Sequence, residues 1–164
     1  GKEENFDFKI LEATEYINKK QKVILVDEIE KYFGGNLAGK KIAMWGLAFK
    51  ANTDDIREAS SLDNIELLLE KGAQVVAYDA IAEENVRKIL GDKIEYAKDM
   101  YSALEGADCL LIATEWSEFK NPNFELMASK LKNKVIFDGR NMFSMEQAEG
   151  SGFFYKSIGR KTVR

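Results

Sequence analysis

Histidine is absent from the 164 residues, and cysteine occurs once, as Cys109. Without histidine there is no imidazole base, and with a single cysteine the chain can build neither an internal disulfide nor a Cys/His zinc site. Serine-protease-like and zinc chemistry are therefore excluded, and no metal ligands are expected. An excess of positive charge is also missing, since 24 lysines and arginines face 28 acidic residues for a net charge of -4. Such a chain has no overall field to hold nucleic acid or an anionic membrane surface, so a polyanionic ligand has to be held by a few local cations. No apolar run reaches the roughly 18 residues needed to cross a bilayer, and the charged start Gly1-Lys-Glu-Glu4 lacks the apolar core of a signal peptide. The expectation is a cytoplasmic protein.

What is present is an apolar share of 45% in a chain about one domain long, enough to bury a sizeable core. From Asp7 to Phe33 apolar residues (Ile10, Leu11, Ile17, Ile24, Leu25, Ile29) recur at helical spacing, with Asp7 as a candidate N-cap and Gly34-Gly35 as the stop. The segment is one long helix or two short ones; a helix of that length exceeds the needs of a small domain, so one face is expected to pack on something the rest of the chain does not supply. After the linker of residues 34–39 the pattern changes to short apolar runs alternating with amphipathic ones. The predicted strands are 41–45, 74–78, 94–96, 109–113 and 135–137, with a weak sixth at 153–155. Helices are predicted at 61–71, 83–90, 100–105, 124–131 and 144–149, with Gly72 as the C-terminal stop of the first. Strict alternation of this kind predicts an α/β fold: a doubly wound, mostly parallel, Rossmann-like sheet with a long N-terminal helix.

In such a sheet ligands bind beyond the carboxyl ends of the strands, where the strand order reverses. The segments there are Gly46-Leu-Ala-Phe-Lys50, Asp79, Thr114-Glu-Trp116 and Asp138-Gly-Arg-Asn141. The first is not a dinucleotide fingerprint, because only Gly46 is present and Phe49 and Lys50 stand where small residues would let backbone approach a pyrophosphate. Lys50, as a point charge, and Arg140, as a planar fork, are candidate phosphate or ribose ligands, although an isolated loop cation is more often simply solvated. Asp79 could hydrogen-bond a ribose or serve as a turn or N-cap residue. Trp116 could stack on a base or cap the core. Cys109, inside an apolar strand with no basic neighbour, reads as core. Glu115, Asp54 and Asp55 receive no catalytic role, since solvated or turn-stabilising carboxylates are commoner.

The run Gly46-Leu-Ala-Phe-Lys-Ala-Asn-Thr-Asp-Asp-Ile-Arg-Glu58, followed in register by Ala77-Tyr-Asp79, Thr114-Glu-Trp116, Asp138-Gly-Arg-Asn141 and Ile158-Gly-Arg160, resembles the UDP-glucose dehydrogenases, and the similarity covers essentially the whole chain. That resemblance implies that residues 1–36 correspond to the end of the family's central helical dimerisation region and 37–164 to its UDP-sugar-binding domain. The family oxidises C6 of UDP-glucose twice to UDP-glucuronate, using two NAD and a thioester on a catalytic cysteine. By resemblance, Phe49, Lys50 and Arg140 contact the nucleotide sugar and Arg57 reaches toward NAD. The family's NAD-binding domain, catalytic cysteine and catalytic lysine lie upstream of everything matched here, and Cys109 does not match that nucleophile. The expectation is a portion that binds UDP-glucose, forms a homodimer through its N-terminal helix and does not oxidise alone. Two other readings are a UDP-N-acetylhexosamine or GDP-mannose member of the superfamily, and a non-catalytic assembly module.

Overall fold

The computed structural model describes residues 9–164, with side chains from residue 12 onward. Asp7, expected as an N-cap, lies outside the described residues. Helix α1 runs unbroken from Lys9 to Tyr32, and the chain then crosses Gly34 and Gly35, both at positive φ, where a left-handed conformation ends a helix at no steric cost. Strands β1 (Lys41–Trp45), β2 (Gln74–Tyr78), β3 (Glu95–Tyr96), β4 (Cys109–Ile112), β5 (Val135–Asp138) and β6 (Phe154–Ser157) form one sheet in the order β3-β2-β1-β4-β5-β6. Every named pair in it is parallel. Helices α2 (Ser60–Glu70), α3 (Glu83–Leu90), α4 (Phe124–Lys130) and α5 (Met145–Ser151) supply crossovers.

The centre of the sheet is apolar because it is covered on both faces. Ile42 to Trp45 of β1 and Cys109 to Ile112 of β4 are all fully or almost fully buried, and the two strands pair Ile42 with Cys109 through Trp45 with Ile112. Cys109 is thus a core residue, and burial pushes its thiol pKa far up, so it stays an inert thiol. Helix α2 ends in a Schellman cap. Gly72 takes φ +79, its N–H donates to Leu69 O, and Ala73 N–H donates to Leu68 O. Helix α5 opens with a reciprocal capping box between Ser144 and Gln147.

Two elements differ from expectation. Residues 100–105 form only a short 3-10 turn at Ser102–Leu104, because Asp99 takes the N–H groups of Tyr101 and Ser102 and holds the segment as a tight side-chain-closed turn. The weak sixth strand is firmer than its sequence suggests: β6 pairs from Val135–Phe154 to Asp138–Ser157, and Val163 closes its outer side with a short antiparallel bridge to Tyr155.

Helix α1 divides into two halves. Its C-terminal half belongs to the core, with Leu25, Val26 and Ile29 buried and Tyr32 packed against Phe154 and Phe137 at ring-centroid distances of 4.6 and 6.1 Å. Asn64 of α2 donates to the Lys22 carbonyl at 2.9 Å and Lys22 Nζ pairs with Glu58 at 2.9 Å, which fixes where α1 crosses α2. From Glu12 to Gln21 every side chain is exposed, Tyr16 and Ile17 among them. The unbroken run of exposed side chains among the described residues is therefore confined to the first half of the helix.

Candidate functional site

The strand order reverses between β1 and β4, and the loops that follow these two strands touch. Gly46, at φ +92, is where they meet: a Cβ there would lie 2.3 Å from Thr114 Cβ. No other residue type fits this contact, and the sharp turn it allows sends Leu47 to Arg57 over the top of the sheet. Thr114 Oγ1 donates to Ala48 O at 2.6 Å, and Ser61 Oγ donates to Leu47 O. The loop is fixed on its β2 side by Asp79, which is almost completely buried. Asp79 Oδ2 accepts from Leu47 N–H (2.6 Å), Ala48 N–H (3.0 Å) and Trp116 Nε1 (2.9 Å), while Oδ1 accepts from Ile81 N–H (3.0 Å) and Ala82 N–H (2.8 Å). Five donors saturate the carboxylate, as burial of a charge requires.

Of the two roles open to Asp79, the turn role is therefore the one it fills, and no lone pair remains for a ribose. Trp116, buried with its N–H on Asp79, seals the core edge and offers no face for stacking a base. Of the N–H groups just after β1, where a dinucleotide fold faces the pyrophosphate, that of Gly46 is spent on Tyr78 O and those of Leu47 and Ala48 on Asp79. Together with the missing glycines, this means that the β1 loop does not fit a dinucleotide.

What the loops present instead is cationic. Arg140 follows β5 and is fixed three times. Its backbone N–H donates to Asp138 Oδ1 at 2.8 Å, Nε donates to Ala113 O at 2.8 Å, and one terminal nitrogen donates to Phe49 O at 2.9 Å. Asp138 also accepts from Met142 N–H and Tyr155 OH; burial pushes its pKa up, against the opposing pull of those hydrogen bonds. Arg140 thus joins the loops after β1, β4 and β5, with its side chain about one-third exposed. Phe49 is half exposed, and Lys50, the next residue, has an exposed side chain that makes no hydrogen bond or ion pair among the described residues, though its charge adds to the lowering of the Asp55 pKa. The structure brings Arg140 onto the Phe49 carbonyl at the switch point, with Lys50 the next residue along that loop. Arg57 stands apart: its Nε and a terminal nitrogen hold Asp55 in a bidentate fork at 2.9 and 2.8 Å, and its side chain is 87% exposed. That fork holds the Asp55 carboxyl down at a pKa of about 2. Asp55 is a turn-stabilising carboxylate, as expected, and Asp54 accepts from Asn85 of α3.

Arg140 also edges a cleft of about 670 Å³ between α1 and α2, floored by the carboxyl ends of β4 and β5 and walled by Lys22, Leu25, Glu58 and Asn64. That volume suits a nucleotide-sized ligand. Sequence reasoning passed over Asp138 as the anchor of Arg140 and Ser61 as a loop anchor. The signal for the first was the repeated pattern of an aspartate closing an apolar strand, seen at both Asp79 and Asp138.

A cation pair at the switch point without a dinucleotide loop matches a known domain. The sequence model of the UDP-glucose/GDP-mannose dehydrogenase family, UDP binding domain, covers residues 43–145. The chain belongs to the UDP-glucose/GDP-mannose dehydrogenase family. It is 44% identical over its whole length to UDP-glucose 6-dehydrogenase TuaD of Bacillus subtilis and 37% identical over 98% of its length to the UDP-glucose 6-dehydrogenase of Pseudomonas aeruginosa, covering 35% and 36% of those proteins. It therefore spans about a third of the length of the relatives it matches. Among solved structures it is similar to a UDP-glucose dehydrogenase from Pyrobaculum islandicum (TM-score 0.69, 33% identity, 90% of this chain and 30% of that one). It is also similar to the UDP-N-acetyl-mannosamine dehydrogenase Cap5O from Staphylococcus aureus (TM-score 0.70, 29% identity, 95% of this chain and 35% of that one). Within the UDP-glucose/GDP-mannose dehydrogenase fold, Phe49, Lys50 and Arg140 lie in the matched span and Gly46 is the contact that lets their loops converge.

Proposed function

We propose that this chain is the substrate-binding portion of an NAD-dependent UDP-glucose 6-dehydrogenase, holding the nucleotide sugar with Phe49, Lys50 and Arg140. The observation that carries this reading is Arg140 donating to Phe49 O beside the exposed Lys50, which sets two cations at the point where the strand order reverses. Lys50 serves as a mobile point charge for phosphate, Arg140 as the fixed fork, and Phe49 as an apolar surface against the sugar or base. Redox chemistry does not fit the residues present: the one thiol is sealed in β4, no histidine exists, and the β1 amides are spent on Asp79. NAD, when bound, supplies hydride acceptance. In this reading it is held mainly by the part of the enzyme outside this chain, with Arg57 reaching toward it from the exposed end of the β1 loop. The exposed half of α1 pairs with a second copy in a cytoplasmic homodimer.

Calorimetric titration of the chain with UDP and UDP-glucose tests the reading, with guanosine diphosphate as the competitor. Saturable uridine nucleotide binding without turnover is expected. A folded chain that binds neither uridine ligand, or that prefers the guanosine nucleotide, overturns it.

A further inference from the structure

The tripeptide after β4 sends its three side chains to three different loops. Thr114 donates to Ala48 O of the β1 loop, Trp116 donates to Asp79 after β2, and Glu115 Oε2 lies 3.1 Å from Arg140 Nε after β5. The first two contacts are made hydrogen bonds. The third is not: the Nε hydrogen is directed at Ala113 O, and Glu115 Oε2, buried at that atom although the side chain is partly exposed, receives no hydrogen bond. A buried carboxylate oxygen without a donor is costly, and this one is offset only by the charge beside it. Arg140, for its part, is oriented without Glu115, through Ala113 O, Phe49 O and the Asp138 anchor of its backbone. Glu115 therefore contributes charge to this site and little geometry.

We propose that Glu115 is the resident counter-ion of Arg140 and a specificity-determining residue for the number of phosphates a ligand carries; this rests on the phosphate-binding reading of Lys50 and Arg140 given above. With Glu115 ionised, Arg140 presents little net positive potential, so a ligand with one phosphate meets a nearly neutral site. A diphosphate reaches Lys50 as well, on the residue after the carbonyl that Arg140 holds, and gains a second cation, whose carboxylate neighbour Asp55 is already forked by Arg57. The preference for two phosphates over one then comes from the Glu115 charge, and removing that charge lets Arg140 hold a single phosphate unaided.

The test is calorimetry with orthophosphate and pyrophosphate on the full chain, comparing the wild type, Glu115→Gln and Lys50→Ala, with UDP as a reference ligand. Glutamine keeps the shape and loses the charge. Glu115→Gln is expected to tighten orthophosphate binding roughly threefold to tenfold and pyrophosphate binding less, so that the ratio between them falls. Lys50→Ala is expected to lose the pyrophosphate preference without any gain for orthophosphate. The 15N resonance of Arg140 Nε, followed by NMR without ligand, reports whether Arg140 keeps its position in Glu115→Gln, and it is expected to stay ordered. If the wild type binds UDP and Glu115→Gln leaves the phosphate ratio unchanged, or weakens orthophosphate binding, the counter-ion role is wrong while the phosphate site stands. If neither protein binds any of the three ligands, both readings fall.

Discussion

Single residues decide how the site is held open. Gly46 combines a φ of +92 with a 2.3 Å approach to Thr114, so Gly46→Ala adds a steric clash to a disfavoured backbone. A loss of about 2–4 kcal/mol is expected in urea unfolding, large for one methyl group. Lys50→Ala removes no hydrogen bond or ion pair among the described residues, and folding stability should stay within error. UDP-glucose affinity should fall by about 1.5–3 kcal/mol in calorimetry if its ammonium makes a charge-assisted phosphate contact. The Arg57–Asp55 fork gives a pH prediction. Asp55 is depressed from an ordinary value of 3.8 to about 2, so its contribution is complete above the ordinary value and is lost as the pH falls toward 2. Following the Asp55 carboxyl carbon by NMR should give a midpoint near 2, moving up toward the ordinary value in Arg57→Ala; an unshifted midpoint in the intact protein would break the fork. Arg57 and Asp55 are two positions apart in sequence, yet nothing in that spacing told that the guanidinium would fork its neighbour's carboxylate. The fork sits on a loop whose path is fixed by Gly46 at its start and by Asp79, which lies outside that run.

Among the elements, α1 shows most clearly what periodicity can and cannot say. Its long span was legible from the spacing of apolar residues. The division into a docked half and an exposed half was not, because Ile17 and Ile29 look alike in sequence and differ only in whether the sheet lies beneath them. This matters for testing the proposed dimer. Removing the first 35 residues would take Leu25, Val26 and Ile29 from the core and confound assembly with folding. Starting the chain at Gln21 removes most of the exposed half while keeping those three. That variant is expected to unfold at nearly the same urea concentration as the full chain and to be monomeric by light scattering. A dimer that survives would move the interface elsewhere. By contrast Ile29→Ala should cost about 2–5 kcal/mol in either background.

For the molecule as a whole, ligand selectivity follows from how the β1 loop spends its amides. UDP at a hundredfold excess over its dissociation constant should stabilise the folded chain by about 2.7 kcal/mol, seen as a raised melting temperature. NAD at the same concentration should shift it far less, because the Leu47 and Ala48 N–H groups already serve Asp79. A shift with NAD as large as that with UDP would mean that the loop reopens for a dinucleotide.

The sequence by itself determined the α/β class, the positions of most strands and helices, and which loops crown the sheet, because alternation of apolar periods and glycine stops are local properties of the chain. It also carried the family signature in the loops. Tertiary structure alone decided that Asp79 and Trp116 are scaffold and not ligand groups, that Arg57 is tied back to Asp55, and that Arg140 reaches the Phe49 carbonyl beside Lys50. Those outcomes depend on which donors meet which acceptors across residues 31 to 91 positions apart, or on how a loop turns above the sheet. Such pairings are set by the strand order, which brings β1 beside β4 and leaves room between their loops only because residue 46 has no side chain.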